Sequence, residues 1–375
     1  MSNLKIVISG GGTGGHIYPA IAIARKILEK NKDSQILFVG AKGRMEMEKI
    51  PEEGFSIIGL DVVGIQRSLT LKSILKNLKF PFLLLKSLKN AKKILEDFNP
   101  DVVVGVGGYA SGPTLRMAHT LKIPTLIQEQ NSYAGLTNKW LSKNANKICV
   151  AYENMNQFFD ESKLILTGNP VRKDIENLNS KLEEAKKYFK VLKSEKVILV
   201  LGGSLGAKSI NDGIIKSISI LNDLPVKLIW QVGKRYFNKI NNQLTQINMK
   251  NIHPLSFIKR MDLAYAVSDI VISRAGALSI SELTLAGIPS ILVPSPNVSE
   301  DHQTKNAMSL VSKSAAILVK DDQTEKLLSV AIELLKNKEQ LTQISKNAKN
   351  LGKPNATNDI VSEIFKLNFN GTKKV

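Results

Sequence analysis

The chain has 375 residues, with 43% hydrophobic and 23% charged content, which are ordinary globular values and enough for two or more domains. Lys plus Arg number 52 against 33 Asp plus Glu, a net charge of +19 that favours anionic partners such as nucleic acid, anionic lipid or phosphorylated substrates. A single cysteine, Cys149, excludes an internal disulfide and reads as a buried thiol. There is no Cys/His cluster of zinc spacing, no apolar stretch of about 18 residues to span a bilayer, and no signal-peptide pattern after Met1. A cytoplasmic location is expected.

In chain order, Ile6-Val7-Ile8 reads as a strand and Ile17 to Leu28 as a helix. Ile36 to Val39, Val102 to Val104, Thr125 to Ile127 and Lys147 to Val150 continue a strand series. Such continuously apolar runs suit strands buried on both faces of a parallel sheet. The series stops near Gly168-Asn-Pro-Val-Arg172, and a polar Lys/Glu-rich helical stretch follows, Ser180 to Lys193. A second series starts with Val197 to Leu201 and goes on through Lys227 to Trp230, Ile270 to Ile272 and Ile291 to Val293. The expected fold class is α/β, two doubly wound Rossmann-like domains facing a cleft. The expected boundaries are 1–170 and 171–353, with an amphipathic C-terminal helix, about 355–370, that could return to the first domain.

In open α/β sheets, ligands bind outside the C-terminal strand ends, and the unusual residues lie there. Gly10-Gly-Gly-Thr-Gly-Gly-His16 follows the first strand and opens a helix. Its glycines permit close backbone approach, and the helix start favours an anion. Gly10, Gly12 and Gly15 also fit the dinucleotide fingerprint, but the ribose-holding acid expected after the second strand is missing. His16, in the loop itself, is an acid/base candidate. Gly105-Val-Gly-Gly-Tyr-Ala-Ser-Gly112 is a second glycine-rich loop, and the two could hold a pyrophosphate. Gln128-Glu-Gln-Asn131 puts four polar side chains at a strand end, where sugar hydroxyls would be suitable partners. In the second half, Gly202-Gly-Ser204 leads towards a helix that Ser204 could cap, and Glu282 lies in the early turns of another, placed to grip a ribose. No Asp-x-Asp pair is present, so a donor diphosphate would be met by helix starts and Arg/Lys rather than through a metal.

Together these motifs resemble the MurG family, the bacterial peptidoglycan GlcNAc-transferases that convert lipid I to lipid II. The segments are Gly10 to Pro19, Gly107 to Pro113, Glu129-Gln-Asn131 with Ala134 to Asn138, Gly168 to Arg172, Gly202-Gly-Ser204, Gly276-Ala277 with Ser281-Glu282, and His302-Gln303 with Asn306-Ala307. The resemblance implies a GT-B fold and an inverting, metal-independent transfer that forms a β-1,4 linkage and needs no cofactor. It implies donor contacts from Thr13, Gly14, Gly15 and Asn131 near the sugar, and from Arg172 and Ser204 at the diphosphate. Phe257 and Ile258 would pack on uracil, Glu282 would bind the ribose with Ala277 and Leu278 nearby, and Gln303 would meet GlcNAc hydroxyls. Gly12, Gly107, Gly108 and Tyr109 would receive the acceptor pyrophosphate. Leu205 stands where the family commonly has Gln, a departure that bears on donor affinity.

An inverting transfer needs a base on the acceptor hydroxyl and a clamp for leaving UDP. His16 is the expected base, with Glu129 its rival. Lysines surround apolar residues from Leu71 to Leu95, including Leu75, Leu78, Lys79 and Phe82, with Pro81 expected to break or kink the helix. This pattern suits a helix lying on an anionic membrane, or a core helix with a solvated lysine face. The expected place is peripheral, on the cytoplasmic face of the bacterial inner membrane, with cell-wall synthesis proteins as further partners. Aromatic content of 6% and no reader motif argue against nucleic acid. The rival readings are a UDP-GlcNAc 2-epimerase, a transferase with another lipid acceptor, and a non-catalytic nucleotide-sugar sensor.

Overall fold

A computed structural model describes residues 3–62, 80–175, 177–203, 205–247, 249 and 251–371. The chain divides into two compact units, residues 1–171 with 355–375, and residues 172–354.

Unit 1 contains β1 (Lys5–Ser9), α1 (Gly14–Lys30), β2 (Gln35–Ala41), α2 (Glu46–Glu52) and β3 (Ser56–Leu60). It continues with α3 (Phe80–Phe98), β4 (Val102–Gly105), α4 (Ser111–Thr120), β5 (Thr125–Glu129), α5 (Leu136–Ser142), β6 (Lys147–Val150) and β7 (Leu164–Leu166). Its parallel sheet runs β3-β2-β1-β4-β5-β6-β7. Side chains alternate between two buried layers, as the two-residue period of a strand requires. Ile6, Ile8, Val102, Val104 and Leu126 join the layer with α1, whereas Val7, Val103 and Ile127 join the layer with α3, α4 and α5. Cys149 is fully buried in the first of these layers, and burial pushes its thiol well up.

Unit 2 contains α6 (Leu182–Phe189), β8 (Lys196–Leu201), α7 (Lys208–Ser217), β9 (Val226–Gln231), α8 (Phe237–Ile247), β10 (Ile252–Leu255) and α9 (Met261–Val267). There follow β11 (Ile270–Arg274), α10 (Ala277–Ala286), β12 (Ser290–Val293), α11 (His302–Val311), β13 (Ile317–Leu318), α12 (Leu327–Lys336) and α13 (Lys338–Leu351). The sheet is parallel, β10-β9-β8-β11-β12-β13. The last helix, α14 (Ala356–Gly371), belongs to unit 1. Its Ile360, Val361, Ile364 and Leu367 pack in the α1 layer, and Lys30 donates to Ser362 Oγ at 3.2 Å.

Both sheets have the doubly wound order, reversing direction between β1 and β4 and between β8 and β11. That reversal opens a crevice at the strand ends, the usual ligand position in such sheets. Glycine-rich loops follow β1, β4 and β8, and Ala275-Gly276 follows β11.

Candidate active site

In unit 1 the loops after β1 and β4 lie against each other, with Gly11 N donating to Gly107 O at 3.3 Å. Gly108 has φ +87°, and a Cβ there would lie 2.4 Å from the Gly11 carbonyl oxygen. Gly107 has φ +92°, and its Cβ would lie 2.8 Å from the His16 ring. Only glycine permits both close approaches. Ser111, fully buried, ties the loops by donating to Ser9 O at 2.7 Å and Gly107 O at 3.0 Å.

A buried carboxylate that sequence reasoning missed sets the first loop. Glu46, 1% exposed, accepts from Gly12 N at 2.8 Å and from Ala41 N at 3.0 Å. It reaches the loop from α2, five residues beyond the end of β2, the strand after which a dinucleotide fingerprint would need its ribose-holding acid. Thr13 is the extended N-cap of α1. Thr13, Gly12 and Gly15 are exposed, Gly14 is half-buried, and Tyr109 presents an exposed ring beyond the second loop.

His16 is half-buried, and its Nδ1 lies 2.9 Å from Gln130 Oε1. The polar run before α5 is largely turned inward: Gln128, Glu129 and Gln130 are all buried, and each bonds within the protein. Sugar hydroxyls are therefore not the partners of these three; Asn131 alone of the run is half-exposed. Glu129, the rival base, accepts four hydrogen bonds. Asn131 N at 3.0 Å and Asn131 Nδ2 at 3.3 Å reach Oε1; Gly135 N at 3.0 Å and Asn138 Nδ2 at 2.8 Å reach Oε2. With both oxygens engaged, Glu129 holds the Asn131–Gly135 turn, and its geometry suits positioning rather than proton abstraction.

In unit 2, Arg172 and Glu282 come together. Arg172 Nε donates to Glu282 Oε1 at 3.1 Å, and the Tyr265 hydroxyl donates to Oε2 at 2.9 Å. Glu282 is on the second turn of α10, its side chain 15% exposed against 42% for Arg172. Burial raises the Glu282 carboxyl above the ordinary value, while Arg172 and Tyr265 pull it down. Ala277 and Leu278, half-buried, form the first turn of α10 behind the N-cap Gly276.

Gln231, at the end of β9, joins two segments that sequence reasoning treated separately. Its Nε2 donates to Gly203 O in the loop after β8 at 3.0 Å, and its Oε1 accepts from Ile258 N at 2.9 Å. Phe257 is exposed, but Ile258 is 4% exposed, so its side chain belongs to the core rather than to a surface that could stack on uracil. Ser204 lies outside the described residues; the helix after it starts at Lys208, with Ala207 at the N-cap. Leu205 is solvent-exposed. Gln303, in the first turn of α11, accepts from Ser295 N at 2.9 Å. The preceding Glu300 and Asp301 hold φ of +57° and +52°, a strained approach of the kind found at ligand-handling loops.

The basic apolar segment is described only from α3 onward, and Leu75, Leu78 and Lys79 lie outside the described residues. Pro81 stands in the first turn of α3, where its missing N–H costs nothing; the residues before Phe80, on which the expected break or kink turns, lie outside the described residues. Ser87, Ala91 and Leu95 face inward, whereas Phe82 is 77% and Leu85 65% exposed. Lys86 and Lys42 both pair with Asp61, which lowers that carboxyl and pins α3 beside β3. On α5, two helices along the same layer, Leu136 and Trp140 are also exposed, and the Arg116 guanidinium lies 5.9 Å from the Trp140 ring. Among the described residues no helix is long and apolar enough to cross a membrane.

Residues 6–150 match the Glycosyltransferase family 28 N-terminal domain and residues 197–360 its C-terminal domain. A protein of Flavobacterium psychrophilum is 54% identical over 98% of both chains. One from Parabacteroides distasonis is 50% identical, over 98% of this chain and 99% of its own. Both are named UDP-N-acetylglucosamine–N-acetylmuramyl-(pentapeptide) pyrophosphoryl-undecaprenol N-acetylglucosamine transferase. Among solved structures, Acinetobacter baumannii MurG superposes with a TM-score of 0.77 at 30% identity, covering 97% of this chain and 99% of its own. A UDP-GlcNAc 2-epimerase from Neisseria meningitidis, solved bound to UDP-GlcNAc, gives 0.66 at 18% identity, over 96% of this chain and 99% of its own, a likeness of fold alone.

Proposed function

The chain belongs to glycosyltransferase family 28, in its MurG group, and from that premise we propose how its residues divide the work of one sugar transfer. The enzyme transfers GlcNAc from UDP-GlcNAc to lipid I, forming lipid II. The linkage is β-1,4, made with inversion and without a metal.

In this reading the acceptor's C4 hydroxyl attacks the anomeric carbon while His16 takes its proton, and the bond to UDP breaks. The observation that carries it is the position of His16: in the first turn of α1, just after the glycine loop at the sheet's switch point, with Nδ1 held by Gln130. Gly107 and Gly108 receive the acceptor pyrophosphate through backbone amides and Tyr109 through its exposed phenol, while Gly12, its own amide held by Glu46, leaves the approach open by having no side chain. Unit 2 takes the nucleotide. Glu282 accepts from the ribose hydroxyls, Phe257 covers uracil, and the α10 start and Arg172 stabilise charge developing on the diphosphate. Asn131 and Gln303 meet GlcNAc hydroxyls.

The acceptor is lipid-anchored, and the exposed Phe82 and Leu85 amid lysines on α3 support docking on an anionic membrane surface. Leu136 and Trp140 extend the apolar area along the same layer. The enzyme then works as a peripheral protein on the cytoplasmic face of the inner membrane, alongside other cell-wall synthesis proteins.

The test is transfer of labelled GlcNAc from UDP-GlcNAc to a lipid I analogue with EDTA present. β-1,4-linked product under chelation is expected. Activity abolished by EDTA and restored by a divalent ion would refute the metal-free mechanism. Release of N-acetylmannosamine without acceptor would indicate the epimerase reaction instead.

A further inference from the structure

Between β5 and the Gly168-Asn169-Pro170 turn, three side-chain amides bond in series, ending at His16. Gln130 Nε2 lies 2.8 Å from Val106 O and 3.2 Å from Gln128 O, and it also bonds Gln128 Oε1. Gln128 Nε2 donates to Asn169 Oδ1 at 2.9 Å, and Asn169 Nδ2 donates back to Gln130 O at 2.9 Å. All three amides are 2% exposed or less.

The direction of every bond in this series is fixed. Backbone carbonyls can only accept, so the Gln130 atom facing Val106 O and Gln128 O must be its nitrogen. The Asn169 atom facing Gln130 O must likewise be its nitrogen. Both ends are anchored, and no amide can flip without setting acceptor against acceptor inside the protein, a costly arrangement. The remaining Gln130 atom, the one 2.9 Å from His16, is therefore the carbonyl oxygen. An oxygen there accepts, so Nδ1 of neutral His16 must carry the proton, and Nε2 is the basic nitrogen of the ring.

We infer that Gln130 is a positioning residue that sets the tautomer of His16, and that Gln128 and Asn169 act through it by locking its amide. This rests on the reading of His16 as the base. It also assigns the polar run before α5 a purpose other than sugar binding. Two of its buried amides aim one imidazole, much as an outer-shell partner fixes which nitrogen a ligating histidine offers. The neutral amide does this without charging the ring. A carboxylate in the same place would favour imidazolium and leave less free base at neutral pH.

The test is a 15N spectrum of the full chain labelled at histidine, with the His16 signals identified by their loss in His16→Gln. At pH about 9, well above the ordinary histidine range, the native ring is expected mainly as the Nδ1–H tautomer. In Gln130→Met, which keeps length and volume, that preference should drop on the order of tenfold. Turnover should fall about as far, with the KM for UDP-GlcNAc unchanged. A native ring that is mainly Nε2–H, or a tautomer ratio unchanged by Gln130→Met, would overturn the inference. The native spectrum decides even if a variant fails to fold. If the tautomer shifts as expected but turnover does not, the role of Gln130 stands, and the base assignment of His16 fails instead.

Discussion

The two units share a strand order and differ in how their switch-point loops are held. In unit 1 the holding groups are buried and satisfied from within: Glu46, Ser111, Glu129, Gln130 and Asn169 all bond to loop backbone or to one another. In unit 2 buried amides also hold the loops, Gln231 at Gly203 O and Asn306 at Ala275 O, but charged pairs join them: Arg274 with Asp321, and Arg172, partly in solvent, with Glu282. Fixed dipoles suit a site that must aim a base, because they need no rearrangement during the reaction. A half-exposed ion pair suits a site that admits a dianionic nucleotide and releases it, since such a pair is weak and easily exchanged.

This contrast breaks first on stability. Glu129→Ala removes the acceptor of four hydrogen bonds and leaves buried donors behind, so it should cost about 3 kcal/mol of unfolding free energy. Arg172→Ala should cost less than about 1 kcal/mol. Urea denaturation of the two variants measures this, and equal costs would erase the distinction between the units.

The membrane face sharpens the same point, because its apolar residues contribute nothing to the core. Phe82→Glu with Leu85→Glu should weaken binding to anionic vesicles by at least about tenfold, with the melting temperature unchanged. Binding in the native protein should fall as salt rises. Equal binding to neutral vesicles would remove the electrostatic part of the reading.

A smaller effect is expected at Glu282. The ionised carboxylate is the form that accepts from ribose, and burial has raised its pKa, with Asp174 adding to the rise and Arg172 and Tyr265 opposing it. UDP affinity should therefore decline as pH falls, from a midpoint above the ordinary glutamate value. Tyr265→Phe removes a bond that favours the ionised form, so the midpoint should move higher still, with a loss of about threefold at neutral pH. Calorimetric titration with UDP across pH checks both, and a midpoint that moves downward would be contrary.

Much of the fold was legible because nine strands are continuously apolar. The four that escaped, β3, β7, β10 and β13, are the four sheet edges. An edge strand is half-exposed and short, and β10 carries His253 and Pro254, which an edge tolerates. Their patterns lack the signal that two-sided burial imposes. Site residues followed a similar rule. Motif residues such as His16 and Glu282 announced themselves by position, but Glu46, Gln231 and Tyr265 act from neighbouring elements and make their contacts only once the chain has folded. The run Gln128 to Gln130 did carry a signal, since buried polar groups need partners; the sequence could not say that the partners were internal.

The division of labour is tested most directly by measuring UDP-GlcNAc affinity and kcat together for His16→Gln and Glu282→Gln. His16→Gln should keep donor affinity and lose kcat by about a hundredfold or more. Glu282→Gln should lose donor affinity by about tenfold, with kcat largely recovered at saturation. If His16→Gln instead turned over normally, or if both variants lost affinity and turnover alike, the assignment of chemistry to one unit and nucleotide to the other would be contradicted.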